Sequence, residues 1–147
     1  MLEAFSTPRN RIRMLILLAV CGLLAIAAGT VGIDDNPPGI FLAFLSACAF
    51  ILAFAHPWRA PKQFLYLIAA SGLGVIVFGV LHNVFEVIAG RSGGSGLFYE
   101  LLSGASVVSF LLAILVCPIG VLVGAIGAFV TSIWNRRRPA PDTTTAA

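Results

Sequence analysis

Charged residues are scarce in this sequence. Asp, Glu, Lys and Arg make up 10% of its 147 residues, compared with about a quarter in an average soluble protein. Hydrophobic residues make up 59%, and the mean hydropathy is +1.02. Because so few charges cannot cover the surface of a water-soluble domain, the composition excludes a freely soluble globular protein. Apolar stretches of about 18 or more residues recur and predict a polytopic α-helical membrane protein instead.

Side chains that bind metals or cofactors are also few, and their spacing is poor for that purpose. The chain has two histidines. His56 ends the second apolar stretch, whereas His82 lies about 28 Å along the third, so one haem cannot bind both. Cys21, Cys48 and Cys117 fall inside apolar stretches and form no Cys-x-x-Cys or Cys/His spacing. We therefore predict no metal site and no cofactor.

One short motif has the pattern of a catalytic serine. Residues 90–94 read Gly-Arg-Ser-Gly-Gly, which matches the G-x-S-x-G pattern of hydrolases and the G-x-S-G pattern of intramembrane proteases. A hydrolase elbow needs a strand before the serine, and an intramembrane protease needs a histidine from another helix. Ser92 instead lies in a Gly/Ser connector, and no loop is long enough for a soluble catalytic domain. We therefore predict that the protein is not an enzyme.

The apolar stretches predict four membrane spans, at residues 14–33, 37–56, 63–89 and 104–134. The last apolar stretch is too long for one simple span and too short for two spans and a turn. We interpret it as one helix kinked at Pro118, with a split at this proline as the alternative. The predicted fold is an all-α, four-transmembrane-helix bundle. It forms a single domain over residues 1–138, followed by a disordered cytoplasmic tail over residues 139–147.

Basic residues set the predicted orientation, because short loops rich in Lys and Arg stay in the cytoplasm. Four spans place both termini and almost all cations inside, with Arg91 outside. Trp58 and Trp134 then lie at the cytoplasmic boundary, and His56 falls in a tight cytoplasmic turn. This orientation accounts for the net charge of +3 without nucleic acid, and indicates a multi-pass protein of the inner or plasma membrane. The cytoplasmic cations are Arg9, Arg11, Arg13, Arg59, Lys62, Arg136, Arg137 and Arg138.

The first span has a second interpretation as a cleaved signal peptide. Its charged start and the Ala-Ile-Ala sequence at residues 25–27 fit that pattern. The apolar run continues past this point, so we favour a retained helix.

Small residues recur at helical spacing and predict where helices pack, because small side chains let backbones approach closely in lipid. On the third span, Gly72, Gly79 and Glu86 share a face with His82. On the first span, the small residues are Cys21, Ala25, Ala28 and Gly32. On the fourth span, they are Ser103, Ser106, Ser109, Ala113, Cys117, Gly120, Gly124, Ala128 and Thr131. Gly120 and Gly124 also form a GxxxG pair, although so many small residues match such templates by chance.

The polar residues His82, Asn83 and Glu86 form the candidate site, since ionisable groups near membrane depth are costly. They could form a proton or cation site, with Glu86 as the carboxylate and His82 as the proton acceptor. They could instead form a structural hydrogen-bonded cluster, closed by residues near the outer boundary. We favour the structural interpretation. The residues expected to close that cluster are Arg91, Tyr99 and Glu100.

These features predict a structural or accessory subunit of a membrane assembly. Its expected partners are the lipid bilayer and other membrane subunits or further copies of itself. The alternative is a small oligomeric transporter or channel that uses His82 and Glu86.

Overall fold

A computed structural model describes residues 7–33 and 36–136. They form four helices, which we name α1 (Pro8–Val31), α2 (Pro37–Ala55), α3 (Pro61–Arg91) and α4 (Leu97–Arg136). All four are long and apolar enough to cross a membrane, and the described residues contain no strand. The prediction of an all-α chain with four such helices is confirmed. The predicted tail at residues 139–147 lies outside the described residues.

Prolines begin three of the helices. Pro8, Pro37 and Pro61 each occupy the first helical position, where a missing N–H removes no intrahelical bond and the fixed φ favours the helix. At the start of α3, the side-chain Oε1 of Gln63 accepts hydrogen bonds from the backbone N–H groups of Arg59, at 3.1 Å, and Ala60, at 3.2 Å. Helices α1 and α3 are longer than predicted because their polar end residues continue the helix.

Helix α4 runs through Pro118 without splitting. Its interruption is a π-helical turn over Leu112–Val116, in which the N–H of Cys117 donates to the carbonyl of Leu112, five residues back. Pro118 has no N–H and crowds the carbonyl of Ile114, and the wider turn just before the proline relieves that conflict. The predicted disturbance near mid-helix is therefore a π turn, and the alternative of two separate helices is not observed.

The helices form two antiparallel hairpins. Helix α1 packs against α2, α3 packs against α4, and α2 contacts α4 to join the pairs. In the first hairpin, Gly32 adopts a positive φ of 87° after α1, which favours glycine. Its carbonyl lies so close to Gly39 of α2 that a Cβ at Gly39 would collide with it. Helix α1 makes no comparable contact with α3 or α4.

The distribution of side chains is inverted relative to a soluble protein. Among the described residues, Ile51 and Phe64 are the large side chains that are buried, whereas Leu23 and Phe129 are 69% and 68% exposed. Because lipid tails are as apolar as leucine, helices in a membrane associate through small side chains and leave large ones outside. The remaining buried residues are small: Ala28, Gly39, Ser46, Ala47, Ala49, Ala53, Ala55, Ser71, Ala89, Ser106, Ser109, Cys117, Gly120 and Gly124.

The alternating helix directions separate the charges of the described residues. The start of α1, the α2–α3 turn and the end of α4 lie at one end of the molecule, which we call the Arg59 end. The opposite end, which we call the Glu86 end, carries Glu86, Arg91 and Glu100. The described cations at the Arg59 end are Arg9, Arg11, Arg13, Arg59, Lys62 and Arg136.

Candidate functional site

The antiparallel packing of α3 and α4 brings His82 against Ser106. The Nδ1 atom of His82 lies 2.8 Å from the Ser106 hydroxyl oxygen and 3.2 Å from the Ser106 carbonyl oxygen. The Ser106 hydroxyl also lies 3.3 Å from the His82 carbonyl oxygen. When Nδ1 carries a proton it can donate to the Ser106 carbonyl, and when it does not it can accept from the hydroxyl. Ser106 therefore accommodates either tautomer of His82.

The other ring nitrogen of His82 faces Glu86, one turn further along α3. His82 Nε2 and Glu86 Oε2 are 3.3 Å apart, a contact made possible because side chains four residues apart are neighbours on a helix. The Glu86 side chain is 69% exposed, the His82 side chain is 26% exposed, and Ser106 is buried. Glu86, His82 and Ser106 thus form a polar line from the surface into the α3–α4 interface, which we call the His82 line.

A phenylalanine completes the surroundings of the imidazole. The ring centroids of His82 and Phe110 are 5.0 Å apart and their planes are inclined by 45°. Ser106 and Phe110 are one turn apart on α4 and hold the imidazole from the same helix face. From the sequence, Ser106 is predicted only as one of the small packing residues of α4, and no role is predicted for Phe110. The hairpin geometry could have indicated Ser106, because residues equally far from the middle of the connector lie opposite each other. His82 and Ser106 are each twelve residues from Gly94.

The remaining residues of the predicted polar cluster do not join the line. Asn83 is exposed, and its Nδ2 donates to the carbonyl of Gly79 on its own helix at 2.7 Å. The expected closing residues form no hydrogen bond or ion pair with His82 or Glu86 in the described part of the chain. Arg91 lies in the last turn of α3, and Tyr99 and Glu100 lie in the first turn of α4.

The α4 glycines predicted to pack are buried against α3. A Cβ at Gly120 would collide with the side chain of Ser71, and one at Gly124 would lie 2.6 Å from Ile68 Cγ1 and 3.0 Å from the Phe64 carbonyl oxygen. The GxxxG pair therefore forms a contact within this chain. Ala128, one turn later, is partly buried.

The glycines predicted to pack on α3 do not form this contact. A Cβ at Gly72 or Gly79 would meet no atom within 4 Å. The face of α3 that meets α4 instead includes Ser71, Gly74 and His82; a Cβ at Gly74 would lie 2.8 Å from the sulfur of Cys117. His82 thus belongs to both the predicted stripe and the observed face, whereas Gly72 and Gly79 lie to one side of that face, roughly 80° to 100° around the helix from Ser71. Small side chains show where a neighbouring helix could approach α3, but α4 packs against a different side of it.

The other reactive side chains occupy structural positions. Ser92 Oγ donates to the Ala89 carbonyl at 2.7 Å at the end of α3, about 15 Å along the helix from His82. His56 Nδ1 lies 3.0 Å from the Ala53 carbonyl oxygen, and Cys21 Sγ lies 3.4 Å from Ser46 Oγ. Among residues 7–33 and 36–136, no three His, Cys, Asp or Glu side chains come close enough together to hold a metal ion.

A second feature is an apolar groove of about 430 Å³ between α1, α2 and the π turn of α4. Its walls include Ala25 and Ala28 of α1, Ala47 of α2, and Leu112 and Leu115 of the π turn. We call it the α1 groove. Its small side chains leave room for a further helix or chain to approach α1 and α2 closely.

Comparison with protein-family profiles, curated proteins and solved structures gives no match. The features of the molecule that bear on function are therefore the His82 line, the α1 groove and the charge distribution.

Proposed function

We propose that this protein is a structural or accessory subunit of an assembly in the inner or plasma membrane. The length and hydropathy of the four helices support insertion. The exposure of large side chains such as Leu23 and Phe129 supports it further, since water would disfavour so much apolar surface on a monomer. Lipid and partner helices would cover this surface.

In the proposed orientation the Arg59 end, with both termini, faces the cytoplasm. The cations gathered at that end support this direction, because positively charged short loops are retained on the cytoplasmic side. Reporter fusions at each terminus and in the connector at residues 92–96 test it. Cytoplasmic signals from both termini and an external signal from the connector are expected; termini on opposite sides would refute the orientation.

The α1 groove is the observation that carries the subunit role. Ala28 is the single described residue of α1 that is buried, so most of that helix remains available to other molecules. The groove is apolar and has small residues on two of its three sides, which suits a transmembrane helix of another subunit. A polar solute would lose hydrogen bonds there without replacement.

Native mass spectrometry after gentle extraction tests the subunit role. Ala25 is exposed and lines the groove, so Ala25→Phe fills the groove without disturbing the buried contact at Ala28. We expect this variant to lose most of the complex. Ala19→Phe is the matched control because Ala19 is exposed on the same helix outside the groove. A wild-type chain that is monomeric and without partners under every gentle condition would refute the role.

The His82 line supports a second candidate, a small oligomeric proton or cation transporter. An exposed carboxylate in contact with an imidazole, which contacts a buried hydroxyl, offers successive proton-binding groups. Several copies would be needed to surround a pathway. Proton flux into proteoliposomes should then fall strongly in Glu86→Gln and remain unchanged in Glu100→Gln, an exposed acid at the same end. Undiminished flux in Glu86→Gln would remove this residue from transport.

A further inference from the structure

A polar pocket lies at the Arg59 end, far from the His82 line. It has a volume of about 400 Å³ and lies between the α2–α3 turn and the last turns of α4. Unlike the α1 groove, it combines a cation, an amide and two indole rings. We call it the Arg59 pocket, and its walls are Trp58, Arg59, Val130, Thr131, Trp134 and Asn135.

The guanidinium of Arg59 is held in place by the turn that carries it. Its Nη1 donates to the backbone carbonyls of His56, at 3.2 Å, and Trp58, at 3.1 Å. A guanidinium has donors on Nε and on both Nη atoms, so these bonds leave the donors of Nε and Nη2 available. Arg59 is oriented before any ligand arrives, which lowers the entropic cost of binding.

The charge of Arg59 is not neutralised within the described part of the chain. The acids described are Glu86 and Glu100, and both lie at the opposite end of the molecule. Lys62, in the first turn of α3, and Arg136, next to Asn135, add further positive charge near the pocket. An oriented cation that has no acidic partner among residues 7–33 and 36–136 is suited to bind an anion.

The turn itself is well ordered by hydrogen bonds and ring packing. Gln63 Oε1 accepts from the backbone N–H groups of Arg59 and Ala60. The indole of Trp58 packs edge-on against Phe64, with centroids 5.4 Å apart. Since these backbone donors are already used, the side chains of the pocket must recognise the ligand.

We propose that the Arg59 pocket binds the phosphate group of an anionic phospholipid. The free donors of Arg59, with the amide of Asn135 and the indole N–H groups, match phosphate oxygens. Trp58 and Trp134 are of the type that lies at the level of lipid headgroups. Val130, which is 53% exposed on α4, adds an apolar wall against which an acyl chain would lie. Basic pockets between helices on the cytoplasmic side are suited to anionic headgroups.

Tryptophan fluorescence measures this binding directly, because the two tryptophans of the chain are both in the pocket. Purified full-length protein in mild zwitterionic detergent would be titrated with phosphatidylglycerol, phosphatidylcholine or inorganic phosphate. We expect a saturable change with phosphatidylglycerol alone. Equal responses to both lipids would refute headgroup recognition. A response to inorganic phosphate that matches phosphatidylglycerol would identify a soluble-anion site and overturn the lipid assignment.

Substitutions in the walls of the Arg59 pocket test whether the lipid binds there. Arg59→Gln should weaken phosphatidylglycerol binding roughly fivefold to tenfold, as expected for one interfacial cation, and Arg59→Lys should weaken it less. Asn135→Leu tests the other wall without touching the turn and should also weaken it. Arg91→Gln, at the Glu86 end, is the control. Unchanged binding in both Arg59→Gln and Asn135→Leu, with helix content retained by circular dichroism, would refute the site. Complex formation through the α1 groove is measured separately and does not affect this outcome.

Discussion

The two hairpins hold together in different ways. In α1–α2, the close backbone contact lies beside the turn, between Gly32 and Gly39, and a side-chain bond from Ser46 Oγ to the Cys21 carbonyl, at 3.0 Å, lies nearer mid-helix. In α3–α4, close contacts extend along both helices. Three of them pair a glycine of α4 with a larger residue of α3, namely Gly120 with Ser71, Gly124 with Ile68, and Gly127 with Phe64.

The α3–α4 interface is closely packed along its length, whereas the α1–α2 interface is closely packed only in places. Side chains of α3 that fill notches at glycines give α3–α4 a specific fit along its length. Helix α1 lacks such notches and leaves a groove beside it. We therefore expect substitutions at α3–α4 to change the stability of the chain, and substitutions along the exposed side of α1 to change association.

Gly124→Val should give the largest loss of stability. Its side chain would press on the Phe64 carbonyl oxygen, 3.0 Å from the added Cβ, and on Ile68, and backbone atoms cannot move aside without separating the helices. We expect a loss of about 2 to 3 kcal/mol in unfolding titrations with sodium dodecyl sulfate. Gly72→Val is the control because it places the same residue in open space. Equal losses in the two variants would contradict the fit described for α3–α4.

Gly39→Ala should have the next largest effect. Its methyl group would collide with the Gly32 carbonyl, but the helices can separate at this end of the hairpin while the Ser46 bond remains. We expect a loss of about 1 to 2 kcal/mol in the same titration. Gly22→Ala, where a Cβ meets nothing within 4 Å, should be neutral or slightly stabilising. A loss in Gly39→Ala no greater than in Gly22→Ala would mean that the close approach has no energetic weight.

Ser106→Ala should reduce stability more modestly, by about 0.6 to 1.7 kcal/mol, the range for hydrogen bonds between membrane helices. It removes the hydroxyl 2.8 Å from His82 Nδ1. Ser46→Ala removes the corresponding bond of α1–α2 and should cost less, because its acceptor is a helix carbonyl that keeps its backbone donor. Thermal unfolding in detergent would compare the two. A greater loss of stability in Ser46→Ala than in Ser106→Ala would show that the side-chain bond contributes more to α1–α2 than to α3–α4, opposite to what we expect.

Glu86→Gln should have the smallest effect on stability, below about 0.5 kcal/mol, because its carboxylate is 69% exposed and its contact with His82 lies within one helix. The melting temperature should therefore hardly change. A loss above about 1 kcal/mol would show that the pair contributes to α3–α4 packing and would weaken any transport result obtained with this variant.

The helices and the small face of α4 could be predicted from the sequence, because span length, prolines and small-residue spacing are local properties. The side of α3 that meets α4 could not. Gly72 and Gly79 are as small as Gly74, and the choice among them depends on which larger side chains fill the α4 notches. The partnership of His82 and Ser106 likewise depends on the register of two helices.

The π turn at Leu112–Val116 holds one residue more than an α-helical turn would between the two ends of α4. Removing one residue within the turn would restore an ordinary helix and leave the facing of the following residues nearly unchanged. Removing one residue just after the turn would instead rotate everything that follows by roughly 100°. Ser106 would keep its place beside His82, while Trp134 and Asn135 would swing away from Arg59. A deletion within the π turn should therefore spare both the His82 line and the Arg59 pocket, whereas a deletion just after it should disturb the pocket alone.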